Sequence, residues 1–389
     1  MFRIKTFNRI ASRGLEAFPA ARYELGPDVK RPHALLLRSQ KLHGAAIEPE
    51  LLAVARAGAG VNNIPVADYG RQGVVVFNTP GANANAVKEL VAAGLLLSSR
   101  NILGGMNYVQ TLQGITDPQQ LAQKLEQEKK RFAGGEVAGK TLGVVGLGAI
   151  GSLVANMALE LGMRVAGFDP AISVESAWRL PSRVEKMDSL DALLAASDFI
   201  SLHVPAIPQT QHLLNAESLQ KTRRGARLLN FAREEIVDPR AVIAALDQGQ
   251  LAAYVSDFPL PELLGREDVL LLPHIGASTV EAEENCAVMA ADQLMDFLDN
   301  GNIVNSVNFP QTRMRRNGGF RITFTNDNVP RVLGAVLSIL ADHDINVLDM
   351  VNKSRGDLAY NIIDVETTVS SEILAAIARA DGVIRVRVV

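Results

Sequence analysis

The run Gly146-Leu147-Gly148-Ala149-Ile150-Gly151 constrains this chain more than any other feature. It follows Thr141-Leu142-Gly143-Val144-Val145, which reads as a short buried strand. It precedes a helical pattern in which Ile150, Leu153, Val154, Met157, Ala158 and Leu161 recur. A second strand, Arg164-Val165-Ala166-Gly167-Phe168, comes next, and Asp169 closes it. A G-x-G-x-x-G run alone is a weak signal. Strand, helix, second strand and terminal acid together predict a β-α-β unit that binds a dinucleotide. Gly146 permits the tight turn, Gly148 lets a pyrophosphate approach the backbone, and Gly151 lets the helix pack close to the strand. Ala149 and Ile150 would offer backbone contact to the pyrophosphate at the helix N-terminus. Asp169 would accept hydrogen bonds from the adenosine ribose. Its charge repels a 2′-phosphate, so NAD is expected rather than NADP.

Composition narrows the classes. The 389 residues leave room for roughly two to three domains and a sizeable core. A hydrophobic fraction of 48% and a charged fraction of 21% suit a soluble enzyme. A net charge of −3 gives no sign of a nucleic-acid or membrane-surface partner. The single cysteine, Cys286, excludes an intrachain disulfide framework and reads as a buried small hydrophobe in a helix. The histidines form no H-x-x-x-H or H-E-x-x-H pair, so no metal site is expected. No apolar run has the length of a membrane span. Arg3, Lys5, Arg9 and Arg13 precede the first acid, Glu16, without an apolar signal core. Phe2 to Phe7 therefore reads as a first strand, and a cytoplasmic protein is expected.

Strand-like and helix-like runs alternate from the start, as in α/β units on parallel sheets. Ala34–Leu37 and Val74–Phe77 read as strands, Glu48–Arg56 as a helix, and Asn85–Ser99 as a long apolar helix. Strands are expected again at Phe199–Leu202, Ala226–Asn230, Ala252–Val255 and Val269–Leu272, then a helix from Thr279 to Asp299. Pro310–Gly319 is polar and Arg-bearing, and reads as a linker. The last 70 or so residues show a βαββαβ, ferredoxin-like pattern. That unit carries no catalytic-looking cluster and is assigned to binding, regulation or assembly.

Several motifs occur in one order along the chain. They are Asn78-Thr79-Pro80-Gly81, the glycine run, His203-Val204-Pro205 with Thr210, and Asn230-Phe231-Ala232-Arg233. Asp257-Phe258-Pro259-Leu260-Pro261-Glu262 and Leu272-Pro273-His274-Ile275-Gly276 follow. In this order the chain resembles the D-isomer-specific 2-hydroxyacid dehydrogenases over essentially its whole length. It is most similar to the branch that oxidises 3-phospho-D-glycerate to 3-phosphooxypyruvate at the entry to L-serine synthesis and carries a C-terminal ACT domain. The resemblance implies two Rossmann-like doubly wound domains with the active site in the cleft between them. A flavodoxin-like substrate domain would span 1–99 and 288–310, an NAD-binding domain 100–287, a linker 311–319, and an ACT domain 320–389. It also implies a homodimer through the cofactor domain, extended to a homotetramer by pairing of ACT domains.

The chemistry asks for a base, a cation for the carboxylate, and a group that holds the base. His274 follows a proline at a strand end and is the expected base. Glu262 would accept a hydrogen bond from its second ring nitrogen and favour the imidazolium. Arg233 offers a planar fork to a carboxylate. The family uses an Arg/Glu/His set in this order. Two departures stand out: Glu262 follows Pro261 where the family has Glu-Pro, and Glu234 replaces the glycine that commonly follows the arginine. The resemblance implies that Asp257 binds the nicotinamide carboxamide. It places His203, Val204 and Pro205 against the adenosine, and Thr210, Phe231, Ala232, Gly276 and Ala277 along the cofactor. His33, His43, His212 and His343 read as surface or structural.

Substrate selection is expected from the first domain. Arg38 and Ser39 end an apolar strand, and Arg56 precedes Ala57-Gly58-Ala59-Gly60, where backbone N–H groups suit an anion. Two arginines beyond Arg233 fit a phosphate-bearing acid. Lys129, in Lys129-Lys130-Arg131, has two readings: a side chain sent to a neighbouring subunit's site, or the solvated end of a helix. In the C-terminal unit Asn326, Asn328 and Asn346 stand where ACT domains hold a small amino acid, often L-serine in this family. As turn and cap residues they have a second reading. Arg331 replaces the usual glycine there. Two functional alternatives also stay open: a dehydrogenase for another D-2-hydroxy acid, such as glycerate or 2-hydroxyglutarate, and a non-catalytic NAD-sensing scaffold.

Overall fold

The computed structural model describes residues 1–178 and 180–389. They form two compact units, Met1–Asn83 with Thr279–Val389, and Ala84–Ser278.

The first unit opens with β1 (Phe2–Thr6), β2 (Tyr23–Gly26), β3 (Ala34–Leu37), β4 (Ala53–Arg56) and β5 (Val75–Phe77). They form one parallel sheet in the order β2-β1-β3-β4-β5. The strands β3, β4 and β5 read Ala-Leu-Leu-Leu, Ala-Val-Ala-Arg and Val-Val-Phe, without polar alternation before Arg56, because both faces are covered. Side chains still divide by the two-residue period. Leu36, Ala55 and Phe77 pack with Ala287, Leu294 and Phe297 of the helix Val280–Asn300. Leu35, Leu37, Val54 and Val76 pack with Ile64 and Tyr69 on the other face. The expected helix Glu48–Arg56 is not formed: residues 53–56 are the strand β4, between β3 and β5. Burial on both faces overrode a helical composition, and Pro49 stands at the head of the run.

The same unit ends in β13 (Phe320–Asp327), β14 (Val347–Arg355), β15 (Leu358–Val365) and β16 (Val383–Val388), preceded in the chain by seven strands of the second unit. The helix Val332–Asp342 follows β13 and the helix Ser371–Ala378 follows β15. The sheet is antiparallel in the order β14-β15-β13-β16. One face carries Ile322, Phe324 and Ile363 against Val336, Leu340, Ile373 and Ile377 of the two helices. The opposite face caps the helix Val280–Asn300. Arg387 donates to the carbonyls of Phe297 (2.5 Å) and Leu298 (3.2 Å), and its guanidinium lies 4.4 Å from the Phe297 ring centre. Arg321 donates to the Asn300 carbonyl at 2.9 Å, and the Tyr360 hydroxyl to the Gly301 carbonyl at 2.6 Å. The last carbonyls of a helix have no partner within it, and cations are favoured there. Residues 310–319 are held as well. Thr312 pairs with Ile303 through backbone bonds of 2.7 and 2.9 Å, and Met314 donates to the Asn302 side chain at 3.1 Å.

The second unit carries β6 (Thr141–Val145), β7 (Arg164–Phe168), β8 (Val184–Lys186), β9 (Phe199–Leu202), β10 (Ala226–Asn230), β11 (Leu251–Ser256) and β12 (Val269–Leu271). All run parallel, in the order β12-β11-β10-β9-β6-β7-β8. The chain builds outward from β6 to β8, then returns to lay β9 on the other side of β6. The strand ends at such a reversal open a crevice. The helix Ala84–Ser99 places Val87, Val91 and Leu95 in one core with Val154, Ala155 and Ala158 of the helix Ala149–Glu160. Both units are thus α/β around parallel sheets, and the first adds an antiparallel sheet. Among the described residues no helix is long and apolar enough to cross a membrane, and no cluster of His, Cys, Asp and Glu could hold a metal.

Candidate active site

Six consecutive strand ends of the second unit carry the candidate residues. Gly146 follows β6, Asp169 follows β7, and His203 follows β9. Phe231 follows β10, Asp257 follows β11, and His274 lies just past β12. Because the sheet is parallel, these ends share one edge.

The glycine run has the shape of a dinucleotide cradle. Gly146 takes φ +90°, and a Cβ there would sit 2.7 Å from the His203 carbonyl oxygen. A Cβ at Gly151 would lie 1.9 Å from the Gly146 carbonyl oxygen. At Gly148 a Cβ would meet nothing within 4 Å, so the space beside it is open. The helix beginning at Ala149 has no side-chain cap at Gly148, which leaves its first N–H groups, including those of Ala149 and Ile150, for an anion. Asp169 accepts from the Leu147 N–H at 2.8 Å and the Ala171 N–H at 2.9 Å, so the acid and the glycine loop are tied together. These features fit a dinucleotide.

His203 is half-buried, and its Nε2 is 2.8 Å from the Ser201 hydroxyl. Burial pulls its pKa from the ordinary 6.5 to about 3, so the ring is neutral, and its buried Nδ1 has no protein partner. That suits a wall residue better than a base. Val204 and Pro205 follow His203 in the same loop. The Thr210 hydroxyl closes this loop by donating to the Pro205 carbonyl at 2.5 Å and accepting from the Ile207 N–H at 3.0 Å.

Phe231 and Ala232 are buried, and Arg233 is half-buried, with Nη1 donating to the Ala232 carbonyl at 2.6 Å. Asn230, fully buried, shapes this turn. It donates to the Arg233 carbonyl at 2.8 Å and accepts from the Ala232 N–H at 3.2 Å. Sequence reasoning gave Asn230 no role of its own; a polar residue ending an apolar strand was the available signal. Glu234 is exposed in a 3-10 turn and leaves the Arg233 turn intact.

His274 is exposed, takes φ +57°, and meets the Phe258 ring edge-on at 5.0 Å between centres. The expected Glu262–His274 hydrogen bond is not formed. Glu262 is exposed in the 3-10 turn Pro261–Leu263 with no hydrogen-bond partner among the described residues. Pro261, on the N-terminal side of the acid, starts that turn. Asp257 is buried and accepts from the N–H groups of Ile275 and Gly276. Gly276 is buried and Ala277 half-buried beside it.

In the first unit, Arg38 pairs with Glu283 at 2.7 Å, and the Ser39 N–H donates to Asn8 Oδ1 at 3.0 Å. Arg56 donates to the Arg38 carbonyl at 2.9 Å and also to the Gly60 carbonyl, so it shapes the loop around Gly58. Asn78 donates to the Ala59 carbonyl at 2.6 Å, and the Thr79 N–H to the Gly58 carbonyl at 3.1 Å. The sequence offered no sign of Asn8 or Glu283 as partners, since both lie far along the chain from the residues they hold.

Lys129 is exposed at the start of a 3-10 turn and pairs with Glu126 at 2.6 Å, as a solvated helix end would. The three C-terminal asparagines are not brought together within one chain. Asn326 is spent inside the sheet, donating to the Asp327 carbonyl and accepting from Asn361, each at 2.7 Å. Asn328 binds the Gly356 carbonyl at one end of β15, and Asn346 faces Glu366 at the other. The eight residues of β15 separate them by roughly 25 Å at the usual strand rise. β13 and β14 both run antiparallel to β15, so the end of one and the start of the other fall at opposite edges.

Comparisons with known proteins agree with this arrangement. Residues 106–276 match the family described as D-isomer specific 2-hydroxyacid dehydrogenase, NAD binding domain. The chain is 33% identical to a D-3-phosphoglycerate dehydrogenase of Haemophilus influenzae, over 94% of this chain and 88% of that one. It is 31% identical to a D-3-phosphoglycerate dehydrogenase of Escherichia coli, over 87% and 81%. Among solved structures it is similar to the NAD+-bound 3-phosphoglycerate dehydrogenase of Entamoeba histolytica. There the TM-score is 0.60 with 25% identity, over 79% of this chain and 98% of that one.

Proposed function

Because the chain belongs to the D-isomer-specific 2-hydroxyacid dehydrogenases, we propose that it oxidises 3-phospho-D-glycerate to 3-phosphooxypyruvate with NAD, the entry step of L-serine synthesis. The observation that carries this reading is the shared edge of the second sheet, where the cradle, the acid Asp169, Arg233 and His274 all follow strand ends. Bound NAD supplies the hydride acceptor. The first turn of the helix from Ala149 holds its pyrophosphate, Asp169 its adenosine ribose, and His203 to Pro205 its adenosine. His274 takes the hydroxyl proton as the carbonyl forms, and Arg233 holds the carboxylate beside the reacting carbon. Glu262, which makes no hydrogen bond among the described residues, would have to turn toward His274 to take the second ring nitrogen once the imidazolium forms.

We assign the substrate phosphate to Arg38, Ser39 and the loop Arg56 to Gly60. The N–H groups of Ala59 and Gly60 have no partner among the described residues and can face an anion. Replacing Arg38 by Ala should raise KM for the phosphorylated acid about 10- to 100-fold, in line with one charge-assisted contact. It should leave turnover of unphosphorylated D-glycerate unchanged. Equal effects on both acids would remove Arg38 from phosphate recognition. In this reading 100–287 bind NAD, 1–99 with 288–310 bind the acid, and 311–319 lead to 320–389. The C-terminal β-α-β-β-α-β order supports an ACT unit that binds L-serine. A ligand touching both Asn328 and Asn346 would need a second copy of the chain, which favours a homodimer or homotetramer. Calorimetric titration with L-serine tests this, and no heat at millimolar ligand would remove the effector role.

A further inference from the structure

We infer that Asp257 is a positioning residue for His274, acting through the backbone of the turn that presents the imidazole. The inference rests on the reading of His274 as the base. His274 has φ +57°, a left-handed conformation that a side chain other than glycine adopts at a cost. Such a conformation persists where its surroundings over-determine it. Here they do. Asp257 Oδ1 accepts from the Ile275 N–H at 2.8 Å, and Oδ2 from the Gly276 N–H at 2.7 Å. One carboxylate therefore takes both amides that follow His274. It is 2% exposed, so water does not compete for those bonds. The clamp is anchored in turn. The Asp257 N–H donates to the Asn230 carbonyl at 3.1 Å, and the Asn230 side chain holds the Ala232 N–H and the Arg233 carbonyl. Phe258, the next residue, sets its ring edge-on to the imidazole. A single hydrogen-bonded network thus runs from the turn of the carboxylate-binding arginine to the turn of the base. Asp257 is its centre.

Two variants test this in the full-length protein. Asp257→Asn turns an N–H toward one of the two amides. Gly276→Ala leaves every titratable group in place but sets a Cβ 2.9 Å from Asp257 Oδ2. Two readouts are needed. The first is hydrogen–deuterium exchange of the peptide covering 272–278, which needs no turnover. The second is steady-state kinetics with NAD and with its 3-acetylpyridine analogue, whose acetyl group replaces the carboxamide. The clamp predicts exchange at least about tenfold faster in that peptide for both variants. It predicts kcat lower by about 10- to 100-fold, the scale of a misplaced catalytic group. The loss should be equal for the two cofactors, with each cofactor KM changed less than about threefold. Unchanged exchange in both variants overturns the inference. So does a kcat loss seen with NAD and absent with the analogue, because that assigns Asp257 to the carboxamide. If wild-type protein oxidises no 2-hydroxy acid, the base reading fails, and exchange alone still decides whether Asp257 holds the turn.

Discussion

Asp169 holds the glycine loop through the Leu147 N–H, and in the proposed reading the same carboxylate takes the adenosine ribose. Its negative charge is the basis for NAD over NADP. Asp169→Ser should therefore raise KM for NAD about tenfold or more and bring measurable turnover with NADP. Steady-state kinetics with both cofactors checks this, and an unchanged NAD preference would place the discrimination elsewhere. His203 offers a second residue-scale test. Its folded pKa of about 3 lies below the unfolded 6.5. Between these values the unfolded chain binds more protons, so stability is full above the unfolded value and falls as pH drops toward the folded one. Denaturant midpoints should decline from pH 7 to pH 5, with a shallower decline in His203→Gln. Parallel declines would assign the loss to other groups. Of the proposed catalytic set, the strand ends that Arg233 and His274 follow were legible in the apolar runs before them. The surroundings of Glu262 were not, because it lies in a 3-10 turn whose shape no periodicity encodes.

The helix Val280–Asn300 is the element on which the first unit depends most. Its N-terminal part holds Arg38 through Glu283, and its C-terminal carbonyls are taken by Arg321, Tyr360 and Arg387. Arg321 also makes a bidentate pair with Asp364, at 2.6 and 2.8 Å, with both side chains almost fully buried. Removing one member of a buried pair costs about 3–5 kcal/mol, whereas apolar replacement of both costs far less. Arg321→Met should thus lower the unfolding free energy by about that amount, and Arg321→Met with Asp364→Leu should recover much of it. A double-mutant cycle in denaturant measures the coupling, and additive losses would mean that the pair contributes nothing as a pair. At this scale the sequence was readable wherever a run was long or strictly patterned. The strands β6, β7, β9 and β10 begin and end as expected from their apolar runs. The segment ending in β4 was misread, because Leu51 to Ala55 suits a helix locally and only the neighbours β3 and β5 make it a strand. The separation of Asn328 from Asn346 in the C-terminal unit was not legible for a similar reason, since strand direction sets their spacing and direction is invisible in a linear pattern.

For the whole molecule, the first unit is built from both ends of the chain, Met1–Asn83 and Thr279–Val389. The alternation of elements made two parallel sheets legible, and the β-α-β-β-α-β tail was visible in its apolar runs. What the tail does for its neighbours was hidden, because Arg321, Tyr360 and Arg387 look like surface residues until the sheet pairs. Deleting 320–389 strips the cap from the helix Val280–Asn300. The shortened chain should melt well below the full one and lose activity, and full activity with an unchanged melting temperature would show the tail to be dispensable. The most direct test of the functional account is the rate of NADH formation by the full-length protein, with NAD and either 3-phospho-D-glycerate or D-glycerate, beside His274→Ala. The account predicts turnover with the phosphorylated acid, little with D-glycerate, and a loss of about 10²- to 10⁴-fold in the variant with NADH binding retained. Turnover confined to D-glycerate, or a variant as fast as wild type, would contradict it.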